Sequence, residues 1–306
     1  MNDFLKVLVI GFGSIGKRHI SVLKEIDPFC SIDVVSKQSK IFYTTYKSLK
    51  EVPFLNTYDY YIIASETYKH FEQLSFLDDH VKNKLICCEK PLFEKKRDLQ
   101  IKNNQVFVGY NLRFHPLIMK LKNELSNQKI LSLNILCGSY LPHWRQNSDY
   151  RECYSAKKEL GGGVLLDLSH EIDYMQWLFA KPIMVSSVQK KVSELDIDSD
   201  DLVMAIGQTE NNVMFNFSLD YFSKISKREI VVHTNKYTYQ IDLIRNSYLK
   251  RNIDGEKQDY TAEHFSRNTT FKRMHLDILN SEGCACTFEE GIEVMDTISV
   301  IQEQNR

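Results

Sequence analysis

Hydrophobic positions in this chain fall into short runs set between polar, helix-spaced stretches. Lys6–Ile10 (KVLVI) and Ser31–Val35 (SIDVV) are apolar and β-branched and predict buried strands, with Lys17–Ile26 between them reading as a helix. Tyr58–Ala64, Lys84–Cys88 and Val106–Tyr110 predict further strands of the same kind. Apolar strands alternating with helical stretches predict an α/β fold on a mainly parallel, doubly wound sheet. The stretch from Ser36 to Lys47 is too short for a full helix and a strand, so one crossover is expected to be a loop.

Beyond residue 115 the pattern changes. Ile130–Gly138, Val185–Val192, Asp201–Gln208, Val213–Asp220, Arg228–Thr234 and Tyr237–Leu243 read as strands. Asn216, Ser218 and Asp220 alternate with Phe215, Phe217 and Leu219, a period of two that gives this strand one polar face toward solvent, substrate or another subunit. Val164–Phe179 reads as a helix, and Thr287–Arg306 as a capped amphipathic helix with Glu289 and Glu290 in its first turn. The charge-rich Asp254–His264 reads as a solvated loop. The expected domains are residues 1–115 and 116–306, in line with a prior of roughly 150 residues per domain.

Composition narrows the class. With 43% hydrophobic and 26% charged residues, the 306-residue chain is globular rather than disordered or fibrous. Its 39 basic and 40 acidic residues balance, which argues against a phosphate-neutralising face and so against nucleic acid. No apolar run approaches the ~18 residues of a membrane helix, and the N-terminus does not read as a signal peptide. The seven cysteines show no C-x-x-C spacing, so a reduced, cytoplasmic protein with thiols as small core residues is expected. Of the histidines, His80, His233, His264 and His275 read as surface or satisfied core residues, and His19 as a packing residue of the first helix.

Only 12 glycines occur, and six of them fall in two groups. Gly11, Gly13 and Gly16 stand between the first strand and the first helix. Strand, G-x-G-x-x-G, helix is the arrangement in which the first glycine makes the turn, the second admits a pyrophosphate and the third lets helix and strand close. Phe12, Ser14 and Ile15 belong to the same turn. A carboxylate about 20 residues on would select a free ribose 2′-hydroxyl, but Ser36 and Lys37 stand there, favouring NADP over NAD. Ser65, Thr67 and His70 follow the Tyr58–Ala64 strand at the ligand-binding edge, as Glu89, Lys90 and Asn111 follow the next two.

GFGSIGKRH, then EKP, then GYNLRFHP, then GGGVLLDLSHEID, in this order after successive elements, resembles the Gfo/Idh/MocA family of nicotinamide-dependent oxidoreductases. The resemblance runs from Lys6 to about Leu178. It implies an N-terminal Rossmann domain, a C-terminal α/β domain with a large open, mainly antiparallel sheet, and a homo-oligomer (dimer or tetramer) formed through that sheet. It also implies hydride transfer between a nicotinamide and a carbon of a sugar, sugar derivative or nucleotide sugar. Two other outcomes keep the fold: a nucleotide-binding sensor, and an enzyme that uses transient oxidation to cleave glycosides.

The resemblance places Lys90 of EKP near the substrate hydroxyl and the nicotinamide. A lysine there can hydrogen-bond the reacting hydroxyl or take its proton. Asp167, His170 and Asp173 recur every three residues and are expected along one helix side, with His170 as the proton-transfer candidate and Asp167 or Asp173 orienting it. The family spaces the first aspartate and the histidine four apart, whereas Asp167 and His170 are three apart here. Aligning on the downstream H-x-x-D selects His170, and aligning on Gly161, Gly162 and Gly163 selects Glu171. No metal is expected, because hydride transfer between carbon atoms needs none. The Ser139–Ser155 loop supplies Trp144, Arg145 and Tyr154, and GYNLRFHP supplies Arg113, as candidate carbohydrate contacts.

Overall fold

Lys6–Ile10 forms β1 and is followed by α1 (Ser14–Ile26), β2 (Ser31–Val35), β3 (Thr45–Tyr46), β4 (Tyr60–Ile63), α2 (His70–His80), β5 (Leu85–Cys88) and β6 (Gln105–Val108). Next come α3 (Pro116–Leu125), β7 (Ile130–Gly138), α4 (Val164–Asp167), α5 (His170–Phe179), β8 (Pro182–Lys190), β9 (Leu202–Thr209) and β10 (Met214–Asp220). Then follow β11 (Lys227–Thr234), β12 (Thr238–Asp242), β13 (Ser247–Arg251), β14 (Lys257–Thr261), α6 (Asn268–Asn280), β15 (Cys286–Thr287) and α7 (Phe288–Gln304). The computed structural model describes residues 4–145, 149–262 and 265–305. His264, residues 146–148 of the aromatic loop and the last residue of the expected C-terminal helix lie outside the described residues. Among the described residues, no helix is long and apolar enough to cross a membrane.

The chain divides into two compact units. The first comprises Met1–Phe114 and Ser266–Ile292, the second His115–Phe265 and Glu293–Arg306. The expectation of a continuous second domain is therefore corrected at 266–292. There β15 pairs with β6, and α6 packs on α1 in the first unit's core.

The first unit holds a sheet of order β15-β6-β5-β4-β1-β2-β3, parallel throughout except at β15. This is the Rossmann order with one added edge strand. Register explains the apolar runs: Val9 lies between Val34 and Ile62, and Ile62 beside Cys87, so each side chain is buried on both sides. The same register lines up Gly11, Ser36, Ala64, Glu89 and Gly109, the residues just past five strand ends. As its length requires, β2 reaches β3 through residues 36–44 without a helix.

The second unit holds a sheet of order β14-β13-β12-β11-β7-β10-β9-β8, antiparallel except where β10 runs parallel to β7. One face is buried through Leu133, Ile135, Val203, Phe215, Phe217, Ile230 and Val232. The opposite face carries rows such as Val188–Met204–Ser218–Leu136–Glu229. Asp220, expected on the polar face, is instead buried and accepts the amides of Phe222 and Ser223 at 2.9 and 2.6 Å, closing the turn after β10. The stretch expected as a solvated loop contains β14. Its five residues are all exposed at the sheet edge, so it has no apolar alternation to show.

Candidate active site

At Gly11 the chain turns with a φ of +104°, and a Cβ there would lie 2.5 Å from the carbonyl oxygen of Ala64 at the end of β4. A Cβ on Gly16 would lie 2.1 Å from the Gly11 carbonyl oxygen, so its absence lets α1 close on the turn. Gly13 differs: a Cβ would meet nothing within 4 Å, and α1 starts there without a side-chain cap. Open amides at a helix N-terminus carry partial positive charge, and the free space at Gly13 admits a pyrophosphate. The turn therefore fits a dinucleotide. Phe12 stands edge-on to Tyr43, ring centres 6.3 Å apart, with the Lys17 ammonium 5.1 Å above it. Ser14 is exposed and Ile15 half-buried on the first helical turn.

Ser36 follows β2 directly, and exposed Lys37 comes next. The Ser36 Oγ accepts the Gln38 amide at 3.1 Å, and the Gln38 side chain donates to the Phe12 carbonyl at 3.3 Å. Gln38, which the sequence reading passed over, thus ties the loop after β2 to the glycine turn. At the end of β4, Ser65 donates to Gln73 at 2.6 Å and Thr67 is half-buried before α2. The His70 ring is buried, with Nε2 3.2 Å from the Ser65 carbonyl and Nδ1 3.2 Å from those of Pro91 and Leu92. Burial holds its pKa below the usual 6.5. His70, expected at the cofactor edge, braces the segments that follow β4 and β5.

β5 runs into Glu89, half-buried Lys90 and Pro91, with a cis Lys90–Pro91 bond. Glu89 is buried. Its Oε1 is 2.9 Å from His19 Nε2, its Oε2 accepts the Lys90 amide at 3.4 Å, and a Cβ on Gly109 would lie 2.6 Å from Oε1. These contacts hold the turn together. Asn111 is buried and donates to Thr270 Oγ1 on α6 at 2.7 Å. Arg113 is 1% exposed and donates to Glu290 Oε2 at 2.7 Å. Glu290 also accepts the Thr287 amide while Thr287 Oγ1 accepts the Glu290 amide, a capping box that starts α7. Asn111, expected to touch the cofactor, and Arg113, expected to touch the substrate, are thus tied to Thr270 and Glu290 within the first unit.

In the second unit the triple glycine is a packing device. Gly163 has a φ of +122°, and a Cβ there would lie 2.2 Å from Asp200 Oδ1. Asp200 caps α4, its main-chain carbonyl accepting the Val164 amide at 3.0 Å and its Oδ2 the Leu165 amide at 3.1 Å. Burial raises its pKa. α4 stops at Asp167, Leu168 leaves helical geometry (φ −98°, ψ 26°), and α5 begins at His170. The expected polar stripe on one helix is therefore corrected: Asp167 belongs to α4, and His170 and Asp173 to α5.

The acidic residues divide by burial. Asp167 is buried and accepts the Tyr221 hydroxyl at 2.5 Å. Tyr154 also faces Asp167, and burial together with that carboxylate pushes both phenols well above their usual 10. Glu171 is 0% exposed and pairs bidentately with Arg228, Nε–Oε1 2.6 Å and Nη2–Oε2 3.1 Å. Asp173 is buried as well, whereas His170 is half-buried. Glu171 is held by a sheet arginine, which leaves His170 as the accessible member of the group. Trp144 donates Nε1–H to Ser139 Oγ at 2.7 Å and stands edge-on to Tyr221 at 5.2 Å, while the Arg145 guanidinium lies 5.8 Å from the Tyr154 ring centre.

Residues 5–104 match the family model described as "Oxidoreductase family, NAD-binding Rossmann fold", and residues 125–240 match "GFO/IDH/MocA C-terminal domain". The chain belongs to the Gfo/Idh/MocA family. No curated protein matches its sequence at a significant level. Among solved structures, this Gfo/Idh/MocA protein is similar to levoglucosan dehydrogenase in complex with NADH, at 17% identity, covering 99% of this chain and 97% of the other with a TM-score of 0.83. It is similar to a UDP-N-acetylglucosamine 3-dehydrogenase from Acidithiobacillus ferrooxidans, at 16% identity, 99% and 98% coverage and a TM-score of 0.75. It also resembles the WlbA dehydrogenase from Bordetella pertussis in complex with NADH and UDP-GlcNAcA, at 14% identity, 99% and 96% coverage and a TM-score of 0.78. These likenesses establish the two-sheet fold, and the family model establishes an NAD-binding oxidoreductase.

Proposed function

We propose that this oxidoreductase moves hydride between a nicotinamide and a carbinol carbon of a sugar or nucleotide sugar. The observation that carries the reading is the partly exposed group Trp144, Arg145 and Tyr154 around the Asp167–Tyr221 pair, on a chain whose glycine turn fits a dinucleotide. Aromatic faces pack on sugar C–H groups, and an arginine beside them suits an anionic sugar derivative. Relatives of the same fold solved with levoglucosan or UDP-GlcNAcA support this substrate class.

A nicotinamide dinucleotide, its pyrophosphate held at the glycine turn, would supply the hydride donor or acceptor. Lys90 holds the reacting hydroxyl and takes its proton as the C–O bond gains carbonyl character. His170 is the second proton-transfer group, with Asp167 held still by Tyr221. Ser36 and Lys37 favour a cofactor 2′-phosphate, because no carboxylate at that strand end repels it. The protein acts as a cytoplasmic homo-oligomer. Its outer sheet face exposes Met184, Val188, Met204, Ile206 and Met214, an apolar surface that a second copy would cover.

The test is a panel of sugars and nucleotide sugars with NAD and NADP, read as nicotinamide absorbance, together with mass identification of any nucleotide that copurifies. Reduction of a cofactor by one substrate class supports the reading. Sugar turnover without net cofactor change would replace it with glycoside cleavage, and no nucleotide binding at all would overturn it.

A further inference from the structure

Four buried polar side chains form a line beneath the strand end that carries Lys90. Tyr60 on β4, His275 on α6 and His19 on α1 are each 0% exposed, and Glu89 after β5 is 8% exposed. The Tyr60 hydroxyl lies 2.9 Å from His275 Nδ1, His275 Nε2 lies 2.8 Å from His19 Nδ1, and His19 Nε2 lies 2.9 Å from Glu89 Oε1. Cys87 faces the Tyr60 hydroxyl, and Cys88 and His70 sit within electrostatic reach of Glu89.

With both histidines neutral, one proton arrangement satisfies every link. A carboxylate only accepts, so His19 carries its hydrogen on Nε2 and accepts on Nδ1. His275 then donates from Nε2 and accepts the Tyr60 hydroxyl on Nδ1. Burial and the neighbouring His19 hold His275 well below the usual 6.5, in keeping with its neutral form. The Tyr60 end is fully buried, so the line fixes proton positions. At the other end Glu89 accepts the Lys90 amide and lies against Gly109, where a side chain would displace it.

We propose that His19 and His275 are positioning residues for Lys90: the one-way hydrogen-bond line from Tyr60 through both histidines fixes the Glu89 carboxylate that holds the Lys90 main chain at the end of β5. The catalytic consequence rests on Lys90 taking the substrate proton. The line itself stands without that reading.

Two measurements on the full chain separate them. Nitrogen NMR of histidine-labelled protein is expected to show hydrogen on Nε2 of both His19 and His275, with His275 neutral near neutral pH. A protonated or Nδ1–H His275 would overturn the arrangement. Acetic anhydride labelling, read by mass spectrometry at each lysine, then compares Lys90 in the parent, His19→Phe and His19→Gln. His19→Phe removes both partners. His19→Gln keeps an N–H toward Glu89. The expected result is a Lys90 labelling rate altered at least severalfold in His19→Phe and restored in His19→Gln, with other lysines and NADH affinity unchanged. Tyr60→Phe, at the far end of the line, gives the same answer more weakly and covers the case in which His19→Phe does not fold. Unchanged Lys90 labelling in folded His19→Phe and Tyr60→Phe would overturn the proposal. Normal turnover in Lys90→Ala, with the labelling pattern as expected, would remove the role of Lys90 and leave the line intact.

Discussion

The Tyr221 hydroxyl stands 2.5 Å from Asp167 Oδ2, a contact between the residue after β10 and the last residue of α4. It immobilises a buried carboxylate beside the aromatic loop. Asp167 is the last residue of α4, before Leu168 leaves helical geometry and α5 begins at His170. Removing the hydroxyl in Tyr221→Phe leaves Asp167 short of a donor and is expected to lower stability by about 1–3 kcal/mol. Urea unfolding checks this, and an unchanged midpoint would mean that Tyr154 alone suffices.

Lys90→Ala is expected to lower turnover roughly a hundredfold or more while leaving nucleotide affinity nearly unchanged. Its position after β5 places it past the cofactor sheet without making it part of the glycine turn. Steady-state rates beside an NADH titration decide, and a near-normal rate would remove Lys90 from the chemistry.

The proposed cofactor preference turns on Ser36. Ser36→Asp puts a carboxylate where a 2′-phosphate is expected and should reverse a preference for NADPH over NADH. One charge-assisted hydrogen bond contributes about 1.5–3 kcal/mol, or roughly ten- to a hundredfold in affinity. Titrating both nucleotides into the parent and the variant at low salt tests it. Equal parent affinities would show that Ser36 and Lys37 do not read the phosphate.

Two buried histidines make stability depend on pH. His275 and His70 have folded pKa values below 6.5, both chiefly through burial. Between those depressed values and 6.5, the unfolded chain binds more protons than the folded one. Their contribution is complete above about pH 6.5 and is lost as the pH falls through that window. A lower urea midpoint in mild acid than at neutral pH is expected, and His275→Gln should flatten the slope.

Glu171 and Arg228 tie α5 to β11, with Glu171 fully buried and Arg228 partly so. Arg228→Met strands a buried carboxylate and is expected to destabilise the fold by about 3–5 kcal/mol. A double change that also replaces Glu171 by Leu should recover much of the loss. Thermal unfolding of the pair against the single variant measures this.

The first sheet was legible because its strands are buried on both faces and punctuated by glycine, so β1 and β2 match the apolar runs residue for residue. β14 was not, since an exposed edge strand needs no apolar alternation. The site residues divide in the same way. Gly11, Gly13 and Gly16 act within six residues of one another, and spacing alone discloses them. Asn111, Arg113 and Glu89 are engaged by Thr270, Glu290 and His19, partners 159, 177 and 70 residues away, which no local pattern records. His275 looked ordinary for the same reason: its partners, Tyr60 and His19, come from the other end of the chain.

The return of residues 266–292 to the first unit also governs the order in which the protein can be made. A ribosome delivers the glycine turn, the EKP segment and most of the parallel sheet early, yet β15 and the α6 histidine that complete this unit arrive only after the whole of residues 115–265. Until then β6 keeps an open edge and His19 lacks one of its two partners. The nucleotide-binding half is thus begun first yet completed only within the last turns of the chain, and a nascent chain stalled anywhere in residues 115–265 carries an incomplete cofactor domain.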